Sequence, residues 1–325
     1  MKNLKKTITK ILFAALALFF ISCGNAKVDS NGCYKDVDDA IKAAKKKNQD
    51  IMVIITMEGD DYSSSDFLTK VVRDSAFKTE IASKYAVVCM DFSQATYQTT
   101  VEKEDSDAAA KKNAKAAAAL MQKNTKFARM LNARETPVVY FLSKEQYLIT
   151  GLFYDDENRS LEGFKTILSE KSSSIEEMRK MIYQTKIGTE LEKVAAIDAL
   201  FEATGPYYRF LLLDLISSVK KLDPSDKSGL LVKYLYEEAV AKSDKALLNG
   251  KAQEAAQAYL DIENEERISA EDRQQALTTV AYLYTEYELS DTATVIDCLE
   301  RALRLSPESE QAPAIRRVIQ SLSAK

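Results

Sequence analysis

The sequence predicts two units in tandem: an α/β domain with a central mixed sheet flanked by helices, then an all-α stretch. Three observations carry this. Four apolar runs rich in β-branched and aromatic residues, Ile51–Ile55, Tyr85–Phe92, Val138–Leu142 and Tyr147–Phe153, all lie in the first half of the chain, as buried strands require. Helical periodicities stand between them. From Ser174 onward the strand signals stop, and segments of helical spacing follow one another to the end. At 325 residues, 46% apolar and 29% charged, the chain is long enough for two domains with sizeable cores.

The N-terminus stands apart from both units. Lys2, Lys5, Lys6 and Lys10 precede the apolar run Ile11–Ile21, which ends in Ser22-Cys23-Gly24. That run is too short to span a bilayer as a stable helix. Residues 1–22 resemble a bacterial lipoprotein signal peptide, with Phe20 where Leu is usual. The resemblance implies that Cys23 is acylated and becomes the new N-terminus. It also implies a bilayer held through the acyl chains, with the chain facing the periplasm or cell surface at the cell or outer membrane. Removing residues 1–22 takes four lysines and no acids from a net charge of −4, which leaves −8. An acidic chain without a basic stripe excludes nucleic acid as the expected partner.

Four cysteines are present, Cys23, Cys33, Cys89 and Cys298, with no C-x-x-C pair. With Cys23 lipidated, three are left, an odd count. A Cys33–Cys89 bridge is open in an oxidising compartment, and no spacing establishes it. Each of Cys33, Cys89 and Cys298 reads equally as a small buried apolar residue. There is no histidine. That removes the commonest general base, the commonest zinc ligand and every Ser-His or Cys-His arrangement. No cofactor or metal is expected.

After a tether over residues 23–33, Val37, Ala40, Ile41 and Ala44 have helical spacing, with Asp36 as N-cap and Lys45–Lys47 in the last turn. Strand Ile51–Ile55 breaks into the acidic, serine-rich turn Asp60-Asp61-Tyr62-Ser63-Ser64, and helical pieces are predicted at Asp66–Arg73 and Ser75–Lys84. Strand Tyr85–Phe92 follows. Ser93–Asp107 reads as a mobile loop. Ala108–Leu131 is rich in Ala and Lys and reads as one long helix. Strands Val138–Leu142 and Tyr147–Phe153 form a hairpin around Ser143–Gln146, and a helix over Ser160–Lys171 closes the domain.

Residues 34–171 resemble the thioredoxin fold. Asp36–Ile55, the helix after the turn, Val87–Phe92 and Thr136-Pro137-Val138-Val139-Tyr140-Phe141 carry the resemblance. It implies that Pro137 is cis and sits beside the turn, where the backbone of Thr136 pairs with bound peptide. It also implies Trp-Cys-x-x-Cys between strand and helix, and here the chain departs. Those cysteines align with Asp61 and Ser64, and the Trp with Asp60. Serine forms no mixed disulfide, and as a hydrolytic nucleophile it needs a base. Asp60 or Asp61 with Asp66 could act as an acid–base pair. The plainer reading is that Ser and Asp cap the helix that follows. The D-x-D-x-D-G spacing of a calcium loop is missing.

The helical half, residues 172–325, is predicted as Ile175–Lys186, Glu190–Ala203, Tyr207–Leu222, Gly229–Asn249, Ala252–Glu263 and a helix pair over Glu271–Pro307. The stretch Cys298-Leu299-Glu300-Arg301-Ala302-Leu303-Arg304-Leu305-Ser306-Pro307 resembles a degenerate tetratricopeptide repeat, an implied helical-repeat domain, with an unspecialised bundle as the alternative. Tyr234, Tyr236, Tyr259, Tyr282, Tyr284 and Tyr287 either line a concave peptide surface or belong to the core.

The function expected is a lipid-anchored, redox-inactive protein- or peptide-binding module, with the dock beside Thr136-Pro137. A thiol–disulfide oxidoreductase using Cys33 and Cys89 is the alternative from a different class. A cell-envelope structural protein is the third.

Overall fold

The structure, a computed structural model, describes residues 28–103, 107–154 and 159–324. Residues 1–22 and the acylation candidate Cys23 lie outside the described residues.

Strand β1 (Ile51–Thr56) is the centre of a four-stranded mixed sheet of order β2-β1-β3-β4. It runs parallel to β2 (Ala86–Asp91) and antiparallel to β3 (Val138–Leu142), and β3 pairs with β4 (Leu148–Phe153) as a hairpin. All six β1 residues are buried, because helices cover both faces and successive side chains point to opposite sides. Ile51, Val53 and Ile55 face Val37, Ala40 and Ala44 of α1 (Val37–Lys47) and Phe127 and Ala128 of α5 (Ala108–Met130). Met52 and Ile54 face the opposite layer. There α2 (Tyr62–Phe67, continued as a wider π turn over Leu68–Val72) supplies Phe67 and Val71, α3 (Phe77–Glu80) supplies Phe77, and α6 (Leu161–Glu170) supplies Phe164.

Several local expectations are corrected. Helix α2 begins at Tyr62, ahead of the expected Asp66, because the Asp61 carboxylate caps it. Ser75–Lys84 keeps only the short α3. Ser93–Asp107 is not a plain loop. Helix α4 (Gln94–Gln98) forms where Ser93 caps Thr96 N–H and where Asp91 accepts hydrogen bonds from the hydroxyls of Ser93 and Thr96. Residues 104–106 lie outside the described residues. The described part of the expected tether is packed. Val28 bridges Tyr34, Tyr34 adds to β2 at Val88, and Asp29 accepts hydrogen bonds from Asn31 N–H and Cys33 N–H.

Helices then run to the end: α7 (Ser172–Gln184), α8 (Glu190–Ala203), a 3-10 segment (Pro206–Leu212), α9 (Leu213–Leu222), α10 (Leu231–Leu248), α11 (Ala252–Leu260), α12 (Ala270–Glu286), α13 (Thr292–Leu305) and α14 (Ala312–Ser323). Sequence periodicity did not predict α14. Its only two buried residues are Ala312 and Ile315, so its apolar signal is thin. The apolar cluster on the α2 and α6 face continues past residue 171 through Ile182, Val194, Phe201 and Val219 to Tyr234 and Ala241. A separate cluster joins α10 to α14 through Ala255, Leu277, Val280, Cys298 and Leu299. Tyr234, Tyr259 and Tyr284 are core residues, whereas Tyr282 is 60% exposed and Tyr287 is also exposed.

Glu238, buried on α10, accepts hydrogen bonds from Ser217 Oγ and Lys220 Nζ of α9 and pairs with Lys242 one turn on. Burial opposes its ionisation, but Lys242, Ser217 and Lys220 outweigh that and hold the carboxyl below its usual range. A depressed folded-state pKa contributes stability above the unfolded value, about 4.3 for Glu, and the contribution is lost as pH falls through the lower folded value. Glu238→Gln is therefore expected to cost about 1–2 kcal/mol near neutral pH. In urea titrations the gap from wild type should close below about pH 4. A pH-independent gap would place the effect in packing.

Candidate functional site

The turn between β1 and α2 is built on Asp61. Its Oδ1 accepts from Ser63 N–H at 3.1 Å, and its Oδ2 accepts from Ser64 N–H at 3.0 Å and from Ser64 Oγ at 2.7 Å. These bonds satisfy amides that a helix start otherwise leaves unpaired. Ser64 is buried, and its hydroxyl accepts from Met57 N–H at 3.0 Å, which ties the end of β1 to the helix. Gly59, at φ 85°, makes the reversal in the left-handed region open to glycine, and its N–H donates to Ser65 Oγ at 2.9 Å. Asp60 is drawn away from Asp61, because its carboxylate accepts from Gln94 N–H at the start of α4.

Pairing of β1 with β3 at Ile55–Val138 brings Thr136-Pro137 alongside. The Thr136–Pro137 peptide bond is cis, and Thr136 Oγ1 donates to Asp61 Oδ2 at 3.3 Å. Among the described residues, no group hydrogen-bonds the backbone N–H or C=O of Thr136. Two apolar side chains stand in solvent at this turn, Tyr62 at 76% exposure and Met57 at 37%. The structure thus brings together Asp61, Ser64, Thr136 and Pro137. Asp60, Tyr62 and Ser63 form the outer rim.

The chemistry open to this arrangement is narrow. Burial opposes ionisation of Asp61, but the bonds from Ser64, Ser63 and Thr136 outweigh it and hold the carboxyl below its usual range. A carboxylate so stabilised is a weak base. Asp66, the other candidate, is engaged elsewhere, pairing with Lys70 at 2.7 Å and accepting from Tyr154 OH at 2.7 Å. These bonds likewise lower its pKa. Four side-chain and backbone donors on one carboxylate make a rigid cap beside an open backbone edge.

A second feature lies behind the turn. A cavity of about 510 Å³ opens between α2, β2 and α5, lined among others by Glu58, Arg73, Cys89, Asp91, Leu120 and Met121. Glu58 pairs with Arg73 at 2.7 Å and donates its N–H to Asp91 Oδ1 at 2.9 Å. Sequence reading missed this cavity, since its lining comes from four separated segments. A third, mainly apolar groove of about 550 Å³ lies between α12, α13 and α14 around Tyr282, Leu299 and Val318. Among the described residues no group of three or more His, Cys, Asp or Glu side chains is placed to hold a metal ion. No helix among them is long and apolar enough to cross a membrane.

Three similarities to known proteins are found. Residues 230–325 match a family model described as an uncharacterised protein C-terminal domain. An uncharacterised protein of Treponema pallidum (strain Nichols) is 30% identical over 145 residues, 44% of this chain. The match spans 47% of that protein's length. The solved structure of DsbH oxidoreductase is similar over 47% of this chain and 93% of its own, at 13% identity and a TM-score of 0.33. A likeness that loose carries no argument here; the fold rests on the strand order and register given above.

Asp61→Ala is expected to destabilise the protein by about 1 kcal/mol through loss of the cap, while Asp61→Asn, itself a good N-cap, keeps most of that stability. Thermal denaturation of the two variants checks this. Equal losses would mean that charge, and not the capping bonds, holds the turn.

Proposed function

We propose that this chain is a membrane-anchored bacterial lipoprotein whose first half is a redox-inactive thioredoxin-like domain that binds a peptide or protein segment. The acyl anchor is at Cys23 and the helical half is a tetratricopeptide-like scaffold. The observation that carries the reading is that, among the described residues, the N–H and C=O of Thr136 are unpaired where its side chain meets the Asp61 turn, and that Tyr62 and Met57 of that turn are exposed. An extended peptide recovers those two backbone bonds by pairing beside Thr136, and the exposed apolar rim adds burial. The strand order, with β1 parallel to β2 and antiparallel to β3, supports the thioredoxin-like part. Asp61 and Ser64 stand where the redox pair is expected, and neither does disulfide exchange. From Cys23 to Val28, where the packed segment begins, is five residues, a reach of at most about 18 Å, so the domain is held close to the bilayer.

A photo-crosslinking side chain at position 62, in native envelopes, tests the dock. It is expected to capture a discrete partner, with the yield falling about tenfold in Met57→Asp, equivalent to about 1.4 kcal/mol of lost binding. No capture at position 62, with capture from position 282, would move the function to the helical half.

The second reading, a thiol–disulfide oxidoreductase using Cys33 and Cys89, has one observation in its favour: the two cysteines belong to one apolar layer, Cys33 within it and Cys89 packed against it. The influence of the Cys33 thiol, and then burial, pushes the Cys89 thiol well up, away from the thiolate that exchange requires. Insulin reduction is expected to be absent and unchanged in the Cys33→Ser, Cys89→Ser double variant. Activity that disappears in that variant would establish the oxidoreductase.

A further inference from the structure

The end of the sheet opposite the Asp61 turn, where β1 and β2 begin and β3 ends, gathers cations from four separate segments. Lys45, Lys46 and Lys47 fill the last turn of α1. Lys84 stands two residues before β2, Lys144 lies in the β3–β4 turn, and Arg179 and Lys186 come from α7 and the turn after it. A cleft of about 330 Å³ brings Asn48, Lys84, Lys144, Arg179 and Lys186 together, and Lys144 Nζ donates to Asn48 Oδ1 beside the end of α1. The acids of this face are already engaged. Asp50 takes Arg179 at 2.6 Å, Glu145 takes Lys186, and Glu176 shares Arg179 at 3.3 Å. Lys45, Lys47 and Lys84 are exposed and have no carboxylate partner among the described residues. The face therefore carries excess positive charge on a chain whose net charge is −4. Two apolar side chains stand in solvent beside these cations: Tyr183, 60% exposed, on the cleft, and Ile187, 45% exposed, next to Lys186.

We propose that this face rests on the surface of a bilayer that contains anionic phospholipid. Lysines meet the anionic headgroups, an aromatic ring with a polar tip seats at headgroup level, and an exposed aliphatic side chain enters the acyl boundary. Each cation held near such a surface strengthens binding about fivefold. Strand β1 separates Asp50 in this face from Met57 at the Asp61 turn by about 20 Å at strand rise, so contact at this end holds the turn out toward the aqueous phase. The tether permits the arrangement. Val28 and Tyr34 lie level with Val88, two residues along β2 from Ala86, and residues 23–28 reach about 18 Å. Charge and exposure carry the inference with or without an acyl chain at Cys23.

Residues 23–325 with Cys23→Ser keep every described residue and leave neither signal peptide nor acyl chain to bind lipid. Vesicle sedimentation compares phosphatidylcholine alone with phosphatidylcholine containing about one-third phosphatidylglycerol. Binding is expected on the anionic vesicles only and to weaken as salt is raised. The triple variant Lys45→Gln, Lys47→Gln, Lys84→Gln is expected to lower it by about tenfold or more, and Tyr183→Ser with Ile187→Ser by about tenfold. The same loss of charge on α5, through Lys111→Gln, Lys112→Gln and Lys115→Gln, is expected to leave binding unchanged. All eight side chains are exposed, and an unchanged Tm checks that each variant folds. No binding to the anionic vesicles, equal binding to phosphatidylcholine alone, or an equal loss from the α5 variant overturns the proposal. Binding of a polyglutamate peptide through these lysines, without vesicle binding, assigns the face to an acidic protein segment and overturns it too.

Discussion

Burial of β1 on both faces is the constraint on which the rest depends. A strand with no solvent face needs neighbours on both edges and cover on both sides, since any unpaired amide there would be costly. Parallel pairing with β2 and antiparallel pairing with β3 meet the first need. The α1–α5 and α2–α6 layers meet the second. Everything of functional interest hangs from the ends of this strand. Its C-terminal end delivers Met57 and the Asp61 turn, its pairing with β3 sets Thr136 beside that turn, and its pairing with β2 positions Cys89.

The turn occupies a place suited to reactivity, at a helix start beside an open backbone edge, yet its polar groups are spent on one another. Asp61 alone accepts from two backbone amides and two hydroxyls. Thiolate chemistry at a helix start uses the same amides and positive dipole end to hold a nucleophile. A carboxylate in that position uses them to become inert and to stiffen the loop. Under the proposed peptide-binding role, stiffness serves recognition, because a preorganised edge loses less on binding than a mobile one.

Packing also relates the two halves of the chain. The apolar cluster on the α2 and α6 face does not end with the sheet. It continues into α7, α8, α9 and the first part of α10, and only then gives way to the second cluster. Polar links reinforce this, with Arg179 of α7 on Asp50 and Tyr147 on Asp214 of α9. The stretch matched by the family model, residues 230–325, coincides largely with the second cluster.

By itself the sequence determined the four strands, most of the helices, the order in which they come and the lack of thiol or imidazole at the turn. Period, propensity and residue identity are local properties, and Ile51–Ile55 or Ala108–Leu131 state theirs without help. Local signals failed where a side chain from elsewhere decided the outcome. Helix α2 starts early because Asp61 caps it, and α4 forms because Asp91 gathers two hydroxyls. Only the tertiary structure set Thr136 on Asp61, 75 residues apart, and Tyr34 beside Val88. Such contacts follow from strand register across the sheet, which is settled when both faces are buried together and leaves no trace in the spacing of either segment. The stretch from Ile51 to Val72 thus announces its strand and its helix. What that turn faces is decided by β3 and β2.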